Sequence, residues 1–190
     1  MKLSATQAWE ILNSAEELCS AVVVSTAVEC LALEISRKLH DRNPLVLGVM
    51  RGSVVFAGRL LPLLKFPLEF DYLDVTRYRD ALNGGEIDWK VSPGTAVAGR
   101  VVLVLDDILD QGHTLAAIRG KLLGAGAREF YSAVFADKDI GRTKPVVADF
   151  IGITLPNRYV FGFGMDVQGA WRNLPAIYAL QENPRSKAGH

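Results

Sequence analysis

The chain has 190 residues, of which 49 % are hydrophobic and 22 % charged, the composition of a globular domain that buries a core; this excludes a disordered chain. Lys plus Arg and Asp plus Glu number 21 each, so no net field draws it to nucleic acid or an anionic membrane. A balanced total still leaves room for a local basic pocket, and the length suits one domain over residues 1–190.

The N-terminal sequence MKLSATQAWE places polar residues where a signal peptide carries its apolar stretch. The tract from Leu18 to Val28 is interrupted by Ser20, Ser25 and Thr26 and is too short for a bilayer, which needs about 20 apolar residues. Cytoplasmic residence is the expectation. Cys19 and Cys30, the only cysteines, lack the CxxC spacing of a zinc or redox site.

The first forty residues read as helical. From Ser25, taken as an N-cap, Val28, Leu31, Ala32, Ile35 and Leu39 recur at three- and four-residue steps and predict an apolar stripe. Asn43-Pro44 stops that helix. Leu45 to Met50 is a continuous apolar run, the pattern of a strand buried on both faces. Arg51-Gly52-Ser53 reads as a turn, Val54 to Leu64 as a helix, and Leu68 to Val75 as a second strand. Thr76 to Gly99 holds Gly84, Gly85, Gly94 and Gly99 with little periodicity, which points to a long lid loop. Val101 to Leu105 is a strongly apolar strand, and a helix is predicted from Thr114 to about Gly124. Phe130 to Ala136 and Asp149 to Ile153 read as further strands. This alternation predicts an α/β fold with a mostly parallel sheet flanked by helices, whose ligand crevice lies at the carboxyl ends of the strands.

Chemistry concentrates at the end of the central strand, in the sequence VVLVLDDILDQGHT ending at Thr114. A buried strand delivers Asp106 and Asp107, a short turn adds Asp110 and Gly112, and a helix follows. Backbone N–H groups of such a turn, with the positive end of the helix, form a phosphate pocket. Three carboxylates would repel an anion there. They make sense as holders of hydroxyls, of a divalent cation, or of a proton in transit.

This stretch resembles the signature of type I phosphoribosyltransferases, in which two acidic residues precede a phosphate loop of the form Asp-x-Gly-x-Thr. Four further segments resemble the hypoxanthine-guanine branch. Leu47-Gly-Val-Met-Arg-Gly-Ser53 looks like its pyrophosphate loop, which implies pyrophosphate contacts from Met50, Arg51 and Gly52 and a cis peptide at Met50-Arg51. Ala136-Asp-Lys-Asp139 implies that Lys138 donates to the 6-oxo group of a purine, which favours an oxo base over adenine. Arg158-Tyr-Val-Phe-Gly-Phe-Gly-Met-Asp166 resembles the base-covering segment. Tyr159 would stack on the purine, Val160 would bond its edge, and Asp166 would sit by the base and bind a second, pyrophosphate-associated Mg2+. The period-two spacing of Tyr159, Phe161 and Phe163 also fits a plain core strand. Trp171-Arg-Asn-Leu-Pro175 resembles the closing segment, whose arginine, here Arg172, contacts pyrophosphate.

By the same resemblance, Asp106 and Asp107 hold the ribose hydroxyls and a Mg2+, and the backbone of Asp110, Gln111, Gly112, His113 and Thr114 holds the 5-phosphate. Asp110 is the implied general base. Thr76, Arg77 and Tyr78 would open a lid spanning about residues 76–99, and the terminal segments would form a small hood. Gln111 and His113 depart from the family's usual residues. The implied substrates are 5-phosphoribosyl-1-pyrophosphate and hypoxanthine or guanine, with a homodimer or homotetramer as the assembly. Alternatives are a preference for xanthine or another base, or a nucleic-acid-binding regulator of the same fold. The charge balance and the absence of spare length argue against the regulator.

Overall fold

The computed structural model describes residues 3–77 and 87–181. Its central sheet has the order β4-β3-β2-β5-β6-β7, with β2 (Leu45–Met50), β3 (Glu69–Arg77), β5 (Val101–Leu109), β6 (Glu129–Asp139) and β7 (Phe150–Pro156) parallel. Only β4 (Ile87–Val91), at one edge, runs antiparallel.

The apolar runs of β2 and β5 follow from burial on both faces. Leu45, Leu47, Val102 and Val104 pack on one side with Leu115, Ile118 and Leu122 of α4 (His113–Gly124). Val46, Leu103 and Leu105 pack on the other with α2 (Ala21–Leu39) and α3 (Ser53–Leu60). Strand alternation sends neighbouring side chains to opposite faces, so two helical layers require apolar residues at every position. Burying one such side chain contributes about 1.5–3 kcal/mol.

The α2 stripe of Val28, Leu31, Ala32, Ile35 and Leu39 is buried as the periodicity predicts. Its start is corrected. Ser20, not Ser25, is the N-cap and accepts from the Val23 backbone, because the helix runs five residues further toward the N-terminus. The first forty residues are also not wholly helical, since β1 (Glu16–Cys19) separates α2 from α1 (Ala5–Ser14).

A second sheet, β1-β9-β8, joins the N-terminal segment to β8 (Val160–Phe161) and β9 (Ile177–Ala179). It is the expected hood from the terminal segments. Arg158 ties it together, donating to Glu16 at 2.5 Å and to the Leu180 carbonyl at 3.0 Å. The helix read from Val54 to Leu64 is shorter, closing in a 3-10 turn at Leu61–Leu63.

The stretch read as a loop from Thr76 to Gly99 is partly strand. Thr76 and Arg77 complete β3, and β4 pairs with them, Thr76 opposite Asp88. Lys121 of α4 caps the Trp89 ring at 3.8 Å, a cation–π contact that pins β4 to the molecule. Tyr78 and the rest of the lid expectation up to residue 86 lie outside the described residues.

Candidate active site

Sheet register brings the expected site residues together. β2 ends at Met50, whose peptide to Arg51 is cis, and Gly52 follows at the head of α3. Beside it, β5 continues four residues past its expected end to Leu109, so Asp106 and Asp107 belong to the strand itself. Asp107 is buried and Asp106 partly exposed. Burial pushes the Asp106 carboxyl well above the ordinary carboxylate range, and the neighbouring Asp107 charge pushes it further. Burial also raises Asp107, while Arg172 opposes that rise.

After β5, Asp110 and Gln111 lead to Gly112, which has φ 82° and precedes α4. The left-handed backbone favours glycine here, and a Cβ would also be tight, 3.3 Å from both Lys144 Cβ and Pro145 Cδ. Among the described residues no side chain caps α4, so its first-turn N–H groups are available to an anion, with His113 exposed and Thr114 half-buried beside them. The helix begins at His113 rather than Thr114.

Two side-chain groupings meet this segment, one at Asp110 and one at Asp107. Lys138 at the end of β6 points its Nζ to within 3.2 Å of Asp110 Oδ2; the lysine side chain is 12 % exposed and the aspartate 51 %. Arg172 donates to the Gly164 carbonyl at 2.5 Å, pairs with Asp166, and approaches Asp107 Oδ2 at 3.9 Å. Asp166 also accepts from the Gly169 N–H at 2.6 Å. The Tyr159 ring is exposed, and its hydroxyl donates to the Asp166 carbonyl at 3.2 Å. Val160, Phe161 and Phe163 are buried, so the aromatic alternation divides: Tyr159 faces outward, while Phe161 and Phe163 are core.

Sequence reasoning missed Gly164 and Lys144. Gly164 has φ 104°, and a Cβ there would lie 2.2 Å from the Gly52 carbonyl, so the hood segment and the loop after β2 touch backbone to backbone. The Gly-Phe-Gly spacing was a visible hint. Lys144 bonds the Leu109 carbonyl at 2.7 Å, and no periodicity marks it.

No cluster of three or more His, Cys, Asp or Glu side chains suited to a metal occurs among the described residues. Mg2+ does not need one. It keeps several waters and binds through one or two carboxylates plus substrate phosphates. Asp106 and Asp107, at the end of β5, are the carboxylates that would hold the ion. Asp166 fits less directly, since one oxygen faces Arg172 and the other Gly169.

The model of the phosphoribosyl transferase domain matches residues 15–168. The chain belongs to the phosphoribosyltransferase family. A hypoxanthine-guanine phosphoribosyltransferase of Lactococcus lactis is 35 % identical over 80 % of this chain and 84 % of its own length. One from Streptococcus pyogenes is 31 % identical over 83 % of this chain and 88 % of its own length. Among solved structures, a hypoxanthine-guanine-xanthine phosphoribosyltransferase superposes with TM-score 0.81 at 30 % identity, covering 90 % of this chain and 99 % of its own. The Trypanosoma cruzi hypoxanthine phosphoribosyltransferase gives 0.83 at 27 % identity, covering 93 % and 100 %. The family's α/β architecture is thus the one adopted here. Among the described residues, no helix is long and apolar enough to cross a membrane.

Proposed function

We propose that the chain is a purine-salvage transferase that joins hypoxanthine or guanine to the ribose of 5-phosphoribosyl-1-pyrophosphate, releasing pyrophosphate. The observation that carries this reading is the 3.2 Å approach of Lys138 Nζ to Asp110 Oδ2. A 6-oxopurine carries its O6 and N7 side by side on one edge. An ammonium donor beside a carboxylate acceptor complements a carbonyl next to an N7–H. Adenine would present an amino group to the ammonium, donor against donor.

Asp110 accepts the N7 proton as the base attacks C1 of the ribose, the role of a positioned general base. Backbone N–H groups from Asp110 to Thr114 hold the 5-phosphate at the uncapped start of α4. Asp106 and Asp107 orient the 2- and 3-hydroxyls and would hold Mg2+, with Asp166 as the candidate for a second ion. When bound, the cation neutralises charge on the departing pyrophosphate. Arg51, the Met50 and Gly52 backbone and Arg172 stabilise the same anion. Tyr159 covers the purine face and the Val160 backbone meets its edge. Thr76 and Arg77, at the end of β3, would begin the lid.

Hypoxanthine, guanine and xanthine, the bases for which the relatives are named, all carry the O6/N7 edge, so that edge does not separate them. The test is incubation with Mg2+, phosphoribosyl pyrophosphate and each purine in turn, measuring nucleotide and pyrophosphate. Activity with hypoxanthine or guanine, and a much lower kcat/KM with adenine, is expected. Release of no nucleotide from any 6-oxopurine would refute the reading. A homodimer or homotetramer is the proposed assembly, to be checked by light scattering.

A further inference from the structure

Lys144 stands outside the machinery described so far, yet its ammonium occupies the junction beneath that machinery. The residue belongs to the segment between β6 and β7 and folds back under the site, with its side chain 10 % exposed. Its Nζ donates to the Leu109 carbonyl at 2.7 Å, to the Lys138 carbonyl at 2.6 Å, and to the Asp137 carboxylate. These three acceptors match the three N–H donors of an ammonium. A buried ammonium without such partners would lose its hydration with nothing in return, so the full set is what makes this placement tenable.

What the ammonium joins is specific. Leu109 is the residue before Asp110, and Lys138 supplies its own carbonyl. The ladder between β5 and β6 ends at the rung Leu109–Asp137. Beyond it the chains part: Asp110 enters the phosphate turn, while Lys138 continues in register with Leu155 of β7. Lys144 therefore bridges the two strands at the point where their own pairing stops. Its stem also supports the turn, since a Cβ on Gly112 would lie 3.3 Å from Lys144 Cβ.

We propose that Lys144, held by Asp137, is a positioning residue that sets the spacing between Asp110 and Lys138 and thereby the fit of the base edge. The inference rests on the reading of that pair as the reader of O6 and N7. Lys144 itself touches no substrate. Without its charge, Asp137 and two carbonyls would lose a shared donor, and the ends of β5 and β6 would be free to separate. The sugar phosphate, held by backbone N–H groups of the turn, would be affected less than the base.

The test is steady-state kinetics on wild type, Lys144→Met, Lys138→Ala and the double variant, varying purine and phosphoribosyl pyrophosphate separately. Methionine keeps the unbranched stem and removes the ammonium. Lys144→Met is expected to raise the purine KM at least about tenfold while the sugar-pyrophosphate KM moves less than about threefold. In the Lys138→Ala background the same change should add less than about twofold, because the two residues act through one contact. Equal rises in both KM values, or additive effects in the double variant, would overturn the proposal. Should Lys144→Met fail to fold, Asp137→Asn must show the same KM asymmetry at smaller size, and its absence counts equally against the idea. Wild type inactive with every purine would instead refute the function itself, a result distinct from an active wild type indifferent to Lys144.

Discussion

A Cβ on Gly52 would fall 2.1 Å from Oδ2 of Asp107 and 2.4 Å from its Cγ, so the loop after β2 lies directly against the buried acid of β5. Gly164 closes on the same place from the hood, where a Cβ would meet the Gly52 carbonyl at 2.2 Å and Asp107 Cβ at 3.4 Å. Gly52→Ala must therefore displace the Asp107 carboxylate or the loop. Overpacking of this kind costs about 1–3 kcal/mol, and a domain of this size loses roughly 2–4 °C per kcal/mol. The expected result is a lower Tm together with at least about a tenfold loss of kcat/KM for phosphoribosyl pyrophosphate. Thermal unfolding and kinetics that match wild type would contradict the packing described.

Asp110 is half-exposed and makes its ion pair with Lys138 only at its tip, so Asp110→Asn should leave the turn and α4 in place. Sugar-pyrophosphate binding is expected to persist while turnover falls at least about a hundredfold, the lower end of what a general base supplies. Calorimetric titration and single-turnover rates separate the two. Near-normal turnover removes Asp110 from its role.

Lys138→Ala removes the donor and leaves Asp110 unpaired. Purine binding is expected to weaken far more than sugar-phosphate binding, and discrimination against adenine should narrow because the opposing donor is gone. Competition binding with hypoxanthine and adenine checks both effects. Equal losses for base and sugar phosphate would move the purine site away from β6.

Asp106 and Asp107 carry a pH dependence whose sign follows from burial. Each carboxyl holds its proton more tightly in the folded protein than at its ordinary pKa of 3.8. In the window above that value the native state binds more protons than the unfolded chain. Stability therefore falls as pH rises through the window, and stays reduced above the folded pKa. With chelator present, Asp106→Asn should raise Tm by at least about 2 °C near neutral pH, and the gain should vanish at about pH 4. Catalysis should be lost in the same variant. A variant less stable than wild type at neutral pH would show that the burial described does not penalise the charge.

The local pattern of the chain determined a great deal. Doubly buried strands wrote themselves as the apolar runs Leu45–Met50 and Val101–Leu105, and the acids and glycine that follow the second run marked where a phosphate turn belongs. Those signals are legible because they arise between neighbours: strand alternation, helix spacing, and the backbone freedom of Gly112. Boundaries were less legible. β5 runs through Asp106 and Asp107 because β6 pairs with it as far as Leu109, and pairing between strands leaves no trace in either strand alone. The same holds for β4, which became a strand by joining β3 inside a glycine-rich stretch.

Only the tertiary structure decided which distant groups meet. Gly52 against Asp107, Arg172 near Asp107, and Lys144 under Leu109 are contacts between segments far apart in the chain. The sequence by itself could name the residue types the chemistry needs. Their distances depend on how the crossovers and the hood fold back over the sheet, which long-range packing fixes and short-range spacing cannot.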